Sequence, residues 1–178
     1  MNTKITAIAL TTISLLFSTA ALADTASDGT VHITGTILQN ACTVKTASVE
    51  VPLKDQYASI FTAAGQVQSN KAFTIDLENC DPSVYKNIQA RFEGTVDNYG
   101  NTVLANTAGS ASGIGVQILD SANNALAFND ESAWSTQSTL ADGQTDISLP
   151  FSAQFIATNS SVTAGSVDAT ATFYLQYN

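Results

Sequence analysis

Positive charge is scarce in this chain. Six lysines and arginines stand against fifteen aspartates and glutamates, for a formal net charge of −9, and Lys45, Lys54, Lys71, Lys86 and Arg91 are scattered instead of gathered into a patch. Such a surface repels phosphate backbones and anionic lipid, which makes anionic membranes poor partners and leaves no nucleic-acid partner expected. Histidine occurs once, as His32, so neither a histidine-rich metal site nor a Ser-His-Asp triad resting on a well-held base is expected. Long amphipathic helices are missing after the first two dozen residues, and no stretch there is apolar for the roughly 20 residues a membrane span needs. Cysteine is limited to Cys42 and Cys80.

What is present begins with a leader. Lys4 supplies a positive start, Ile5 to Phe17 an apolar stretch, and Ala21-Leu22-Ala23 a small-x-small cleavage site, so residues 1–23 read as a signal peptide removed after Ala23. Loss of Lys4 takes the net charge of the exported chain to about −10. An even cysteine pair in an exported chain reads as a disulfide, the alternative being two buried free thiols. Closing the loop between Cys42 and Cys80 is worth about 4 kcal/mol on the chain-entropy model, and the compartment must be oxidising.

The stretch Thr30 to Gln39 stands out. Val31, Ile33, Gly35 and Ile37 fall on one face at period two, with His32, Thr34 and Thr36 on the other, and the β-branched composition favours a strand. Two features are unusual. The stretch precedes Cys42, outside any loop the disulfide closes, and a glycine interrupts its apolar face, which weakens a strand unless something passes close to the backbone there. A detachable strand that slots into another subunit would have both properties.

Further along, short strands alternate with turn clusters. Thr43-Val44-Lys45 and Val49 to Leu53 are strand pieces, with Pro52 marking an edge or crossing. Tyr57, Ile60 and Phe61 have the spacing of one helical turn. Lys71 to Cys80, Asn87 to Thr95 and Gly115 to Asp120 are strands; Thr102 to Leu104 is a shorter one, and Ala125 to Phe128 is expected to pair back as a hairpin. Thr145 to Ala157 is a long strand that Pro150 makes exposed or bent. Asp168 to Asn178 closes the chain, with Ala169, Ala171, Phe173, Leu175 and Tyr177 on one face. The pattern is that of a β-sandwich forming one domain, with no internal repeat.

Five segments together carry a resemblance: Gly29-Thr30-Val31-His32-Ile33-Thr34-Gly35-Thr36-Ile37, Ala41-Cys42-Thr43-Val44, Asn79-Cys80-Asp81, Gly115-Val116-Gln117-Ile118-Leu119-Asp120, and Asp168 to Phe173 with Tyr177. In this order behind a signal peptide the chain resembles the chaperone–usher pilin family, nearest to type 1 fimbrial major subunits. The resemblance implies an all-β fold: an incomplete immunoglobulin-like β-sandwich lacking its last strand, completed by a donor strand from a neighbouring subunit. It implies a donor-strand extension over residues 24–40, contacting the neighbour through Val31, Ile33, Gly35, Ile37 and Gln39, and a pilin domain over 41–178. Ala171, Phe173, Leu175, Tyr177 and Asn178 would then form the strand on which a periplasmic chaperone docks before an outer-membrane usher adds the subunit to the fibre. Gly35 matches the family's donor-strand glycine; Ile33 replaces a frequent aromatic. The implied role is a structural subunit of an extracellular fimbria for cell adhesion, polymerising with copies of itself or related pilins. A minor adaptor or a small glycan-binding adhesin is the alternative.

No catalytic residue, cofactor or metal is expected. His32 lies on the polar face of a strand. Asn129-Asp130-Glu131 lacks the spaced oxygen ligands of a calcium loop and reads as a solvated turn. Trp134, Tyr57, Tyr85 and Tyr99 could line a sugar-binding surface or simply pack in core and interface, and Asn159-Ser160-Ser161 fits a glycosylation acceptor but reads as loop.

Overall fold

The computed structural model describes residues 30–36 and 42–178. The expected leader and its cleavage site lie outside the described residues, as do Ile37 and Gln39. Two units, Met1–Ile37 and Leu38–Asn178, divide the chain.

In the second unit the described strands are β1 (Thr43–Val44), β2 (Val67–Glu78), β3 (Asn87–Gly94), β4 (Val96–Asp97), β5 (Gly100–Ala105), β6 (Ile114–Leu119), β7 (Ser138–Thr139), β8 (Ile147–Ala157) and β9 (Ala171–Tyr177). They form a six-stranded sheet, ordered β1-β2-β8-β6-β5-β4, and a three-stranded sheet, ordered β7-β3-β9. Every pairing between these strands is antiparallel. One turn of 3₁₀ helix, Ala58–Ile60, sits where the helical spacing of Tyr57, Ile60 and Phe61 placed it.

Alternation along the strands builds the sandwich. Ile75 and Leu77 of β2, Leu149 and Phe151 of β8, Leu104 of β5 and Ile118 of β6 point from the large sheet onto Ile88, Ala90 and Phe92 of β3. The Phe151 ring is stacked with Phe73 at 5.7 Å between centroids and meets Phe92 edge-on at 5.3 Å, both favoured aromatic geometries. Cys42 and Cys80 are joined, with Cα atoms 4.0 Å apart at a sequence separation of 38. The bridge follows from register: Thr43 lies opposite Glu78 and Val44 opposite Leu77, so the cysteines meet at the end of that ladder. Asn79 takes a left-handed backbone (φ 54°) just before Cys80, a conformation asparagine tolerates better than most residues.

Pro150 shows how β8 accommodates a residue with no N–H. It lies opposite Thr74 of β2, while the pairing with β6 runs only from Ala157 to Ser152. At Pro150 the strand therefore has a paired neighbour on one side alone, the kind of position where a residue without an N–H is best tolerated.

Two expected elements differ. Val49 to Leu53 forms no strand, although its alternation survives: Val49, Val51 and Leu53 are half-buried while Ser48, Glu50 and Pro52 are exposed. Period two reports which side of a segment is buried, and here no ladder accompanies it. Ala125 to Phe128 makes no regular hairpin either. Ala125 bridges Leu119, and Phe128 bridges Phe92 of the other sheet, because the buried Leu126 and Phe128 draw this segment across between the sheets.

Asp120, at the end of β6, holds that crossing in place. Its carboxylate accepts hydrogen bonds from the amides of Ala122, Asn124 and Thr136 at 2.9–3.0 Å and from the Thr136 hydroxyl at 2.6 Å. Burial raises its pKa, but the bonds from Thr136 and Asn124 outweigh burial and hold it below the usual carboxylate range. A lowered folded-state pKa means that Asp120 contributes stability at neutral pH, which fades as pH falls below the ordinary aspartate value and through the folded-state one.

Candidate functional site

An open groove runs along the core between the two sheets, with a volume of about 1360 Å³. Its floor is apolar: Phe73, Ile75, Phe92, Leu104, Val116 and Ile118. Residues 47–53 form part of one wall, and Asp168 to Phe173 part of another. A domain of this size normally closes its core, because exposed contiguous apolar surface invites association. The groove exists because two neighbouring segments fail to meet.

The strand on the far wall, β9, is also unpaired on one side. It bonds β3 from Gly94↔Ala171 to Ile88↔Tyr177, and among the described residues nothing flanks its other edge. Ala171, Phe173, Leu175 and Tyr177, four of the five residues expected to form one apolar face, do so within β9, and Ala169 just before it packs on the same core. They pack against the main core yet stay only half-buried. Tyr177 lies 6.5 Å from Tyr85, ring to ring, and burial raises its phenol pKa. The last residue is held by main-chain bonds: Asn178 donates to the Asn87 carbonyl (2.9 Å) and its own carbonyl-position oxygen accepts from the amides of Lys86 and Asn87 at 3.3 and 3.0 Å. The Lys86 ammonium is directed instead to Asp142. Chain end, free edge and open groove thus adjoin one strand.

In the first unit, residues 30–36 join neither sheet. The expected strand from Thr30 to Gln39 is therefore not a paired strand within this chain over its described part. Val31 and Ile33 are 88% and 87% exposed, so each retains most of the roughly 1.5–3 kcal/mol that burying such a side chain yields. Gly35 has no left-handed backbone, and a Cβ added there would meet nothing within 4 Å. Neither conformation nor crowding inside the single chain requires glycine at this position.

The other candidate residues lie at exposed or turn positions. His32 is exposed in the same unpaired segment. Asn129 is bound to the backbone of Gly94 through both ends of its amide, at 3.0 and 2.8 Å, and Asp130 accepts from the amide and hydroxyl of Ser132. Tyr57 is 82% exposed and Tyr99 lies over Gly65. Sequence reasoning missed the groove floor. Its residues are strand residues that face inward like any others, and only the absence of a covering strand distinguishes them.

The Fimbrial protein family matches residues 31–178. The chain is 38% identical over 187 aligned positions to the type-1 fimbrial protein A chain of Escherichia coli, covering 99% of this chain and all of that one. It is 38% identical to long polar fimbria protein A of Salmonella typhimurium, covering 90% of this chain and 89% of the relative. Among solved structures, the P pilus rod subunit PapA superimposes with a TM-score of 0.65 at 21% identity, over 78% of this chain and all of that one. That last likeness is one of fold.

Proposed function

This chain belongs to the fimbrial protein family, and we propose that it is a structural subunit of a chaperone–usher fimbria, polymerising by donor-strand exchange into an extracellular fibre. One observation carries the proposal: the same chain has an open apolar groove in its core and an exposed segment with apolar residues at every second position that forms no strand over its described part. The two are complementary in kind. The groove offers a free strand edge at β9 and an apolar floor; the segment around Val31 to Ile37 offers backbone donors and acceptors and side chains at every second position. Strand addition satisfies both through main-chain bonds and alternating pockets.

The magnitudes favour a long-lived joint. Burying Val31, Ile33 and Ile37 yields roughly 1.5–3 kcal/mol each, and about eight ladder hydrogen bonds add roughly 0.5–1.5 kcal/mol apiece. Covering the groove also removes an edge strand that would otherwise pair at random. In this reading residues 24–40 are the donor extension and 41–178 the acceptor domain. A periplasmic chaperone occupies the groove first, docking along β9 and the chain end at Asn178. The usher then exchanges it for the next subunit's extension. The role is structural, with no reaction assigned to any side chain.

A synthetic peptide of residues 30–39, added to chaperone-bound subunit, tests this. The peptide should displace the chaperone and give a complex that survives denaturing electrophoresis without boiling. A peptide with Ile33→Asp should not. Equal uptake of the two would contradict the pairing of this face with the groove.

A further inference from the structure

The outer face of β9 carries a cluster that the strand-addition reading does not use. Arg91, the chain's only arginine, lies directly opposite Tyr174 in the β3–β9 register. It points away from the core, since its neighbours Ala90 and Phe92 are the buried ones. Its guanidinium carbon is 4.3 Å from the centre of the Tyr174 ring and 5.6 Å from that of Trp134, well within cation–π range. Glu93 pairs with the guanidinium, which holds its carboxyl below the usual range. The Arg91 side chain is only 14% exposed although it lies outside the core.

The Trp134 end of the cluster is fixed to β3. The Ser135 amide donates to the Ala90 carbonyl at 2.8 Å, the Ala90 amide donates to the Ser135 hydroxyl at 3.0 Å, and the Gln89 side chain donates to the Ser135 carbonyl at 2.8 Å. Trp134 and Arg91 therefore share one support, and Tyr174 is the member that belongs to β9. This matters because β9 is the least supported long strand of the core: it has one strand neighbour, and the groove leaves its inner face half covered.

We infer that Arg91 is a positioning residue, clamping Tyr174 from outside the sandwich so that β9 keeps its register as the wall on which another strand is laid. Its geometry stands without the donor-strand reading; its consequence for assembly rests on that reading. A planar guanidinium stacks against Tyr174 while bonding Glu93, which an ammonium does less well. An aliphatic side chain does neither.

Hydrogen exchange on the full exported chain tests the clamp, comparing the native protein with Arg91→Met and Arg91→Lys. In Arg91→Met the amides of Thr172–Tyr177 should exchange about tenfold faster, while those of Ile147–Ala157 in β8 keep their native rates and Trp134 fluorescence changes. Arg91→Lys should recover part of the protection. Uptake of the residue 30–39 peptide should slow in step with the loss of β9 protection. Unchanged β9 exchange in Arg91→Met would overturn the inference, and so would equal acceleration of β8 and β9, which would mean general destabilisation. If the native protein itself refuses the peptide, the donor-strand reading fails, while the exchange comparison still decides whether Arg91 holds β9.

Discussion

Gly35→Arg should give a soluble, disulfide-bonded, chaperone-bound subunit that cannot be added to a growing fibre. In the single chain nothing lies within 4 Å of a Cβ built at Gly35, and its backbone is not in the left-handed region, so the substitution has no reason to disturb the carrier's own fold. Glycine in the middle of an apolar strand face instead points to a close approach made elsewhere. If that place is a shallow part of the neighbour's groove, a larger side chain overpacks it. Overpacking costs typically 1–3 kcal/mol, and an arginine must in addition leave its charge unpaired or withdraw the strand. Monomer yield with chaperone should match the native protein while heat-resistant ladders on a gel disappear. His32→Asn, on the opposite face, should polymerise normally. Normal ladders from Gly35→Arg would refute the donor-strand role of this segment.

Replacing Phe173 and Tyr177 together with serine should leave little subunit in the periplasm. Both face the core from β9 and both are only half-buried, so part of what they contribute belongs to the folded subunit and the rest to whatever covers the groove. Truncating a fully buried large aromatic costs roughly 3–5 kcal/mol; two half-buried ones should cost an isolated subunit a comparable total and also remove the apolar contact a chaperone strand needs. Co-purification with chaperone should fall at least tenfold, with degradation in its place. Thr172→Ser, on the outer face of the same strand, serves as the control and should co-purify normally. Normal yield of the double variant would show that β9 is not the docking strand.

How much of this was legible in the sequence depended on how strictly the residues alternate. Strands β2, β3, β6 and β8 were readable because each carries core residues at every second position along part of its length: Ile75 and Leu77, Ile88, Ala90 and Phe92, Val116 and Ile118, Leu149 and Phe151. Strand β9 was readable for the same reason, even though its apolar face is only half covered. Val49 to Leu53 has the same period and no ladder, since alternation records burial and cannot say whether a hydrogen-bonding neighbour is present. Ala125 to Phe128 misled in a related way: a turn at Ser121 to Asn124 suggested a hairpin, but Leu126 and Phe128 are more fully buried by crossing toward β3. The groove could not be read from single residues at all. It is defined by a strand that is missing between segments far apart in sequence, and the local pattern of Phe73, Ile75 or Val116 is the same whether that place is filled or empty.

The most direct test is a reconstruction of the assembled fibre at a resolution that separates side chains. Residues 30–39 of each subunit should lie as a strand in the groove of the next, beside β9 and over the floor formed by Ile75, Phe92 and Ile118, with Ile33 and Ile37 in pockets and Gly35 at the narrowest point. A groove filled by the subunit's own residues 30–39, or one left open while subunits touch through other surfaces, would contradict the account.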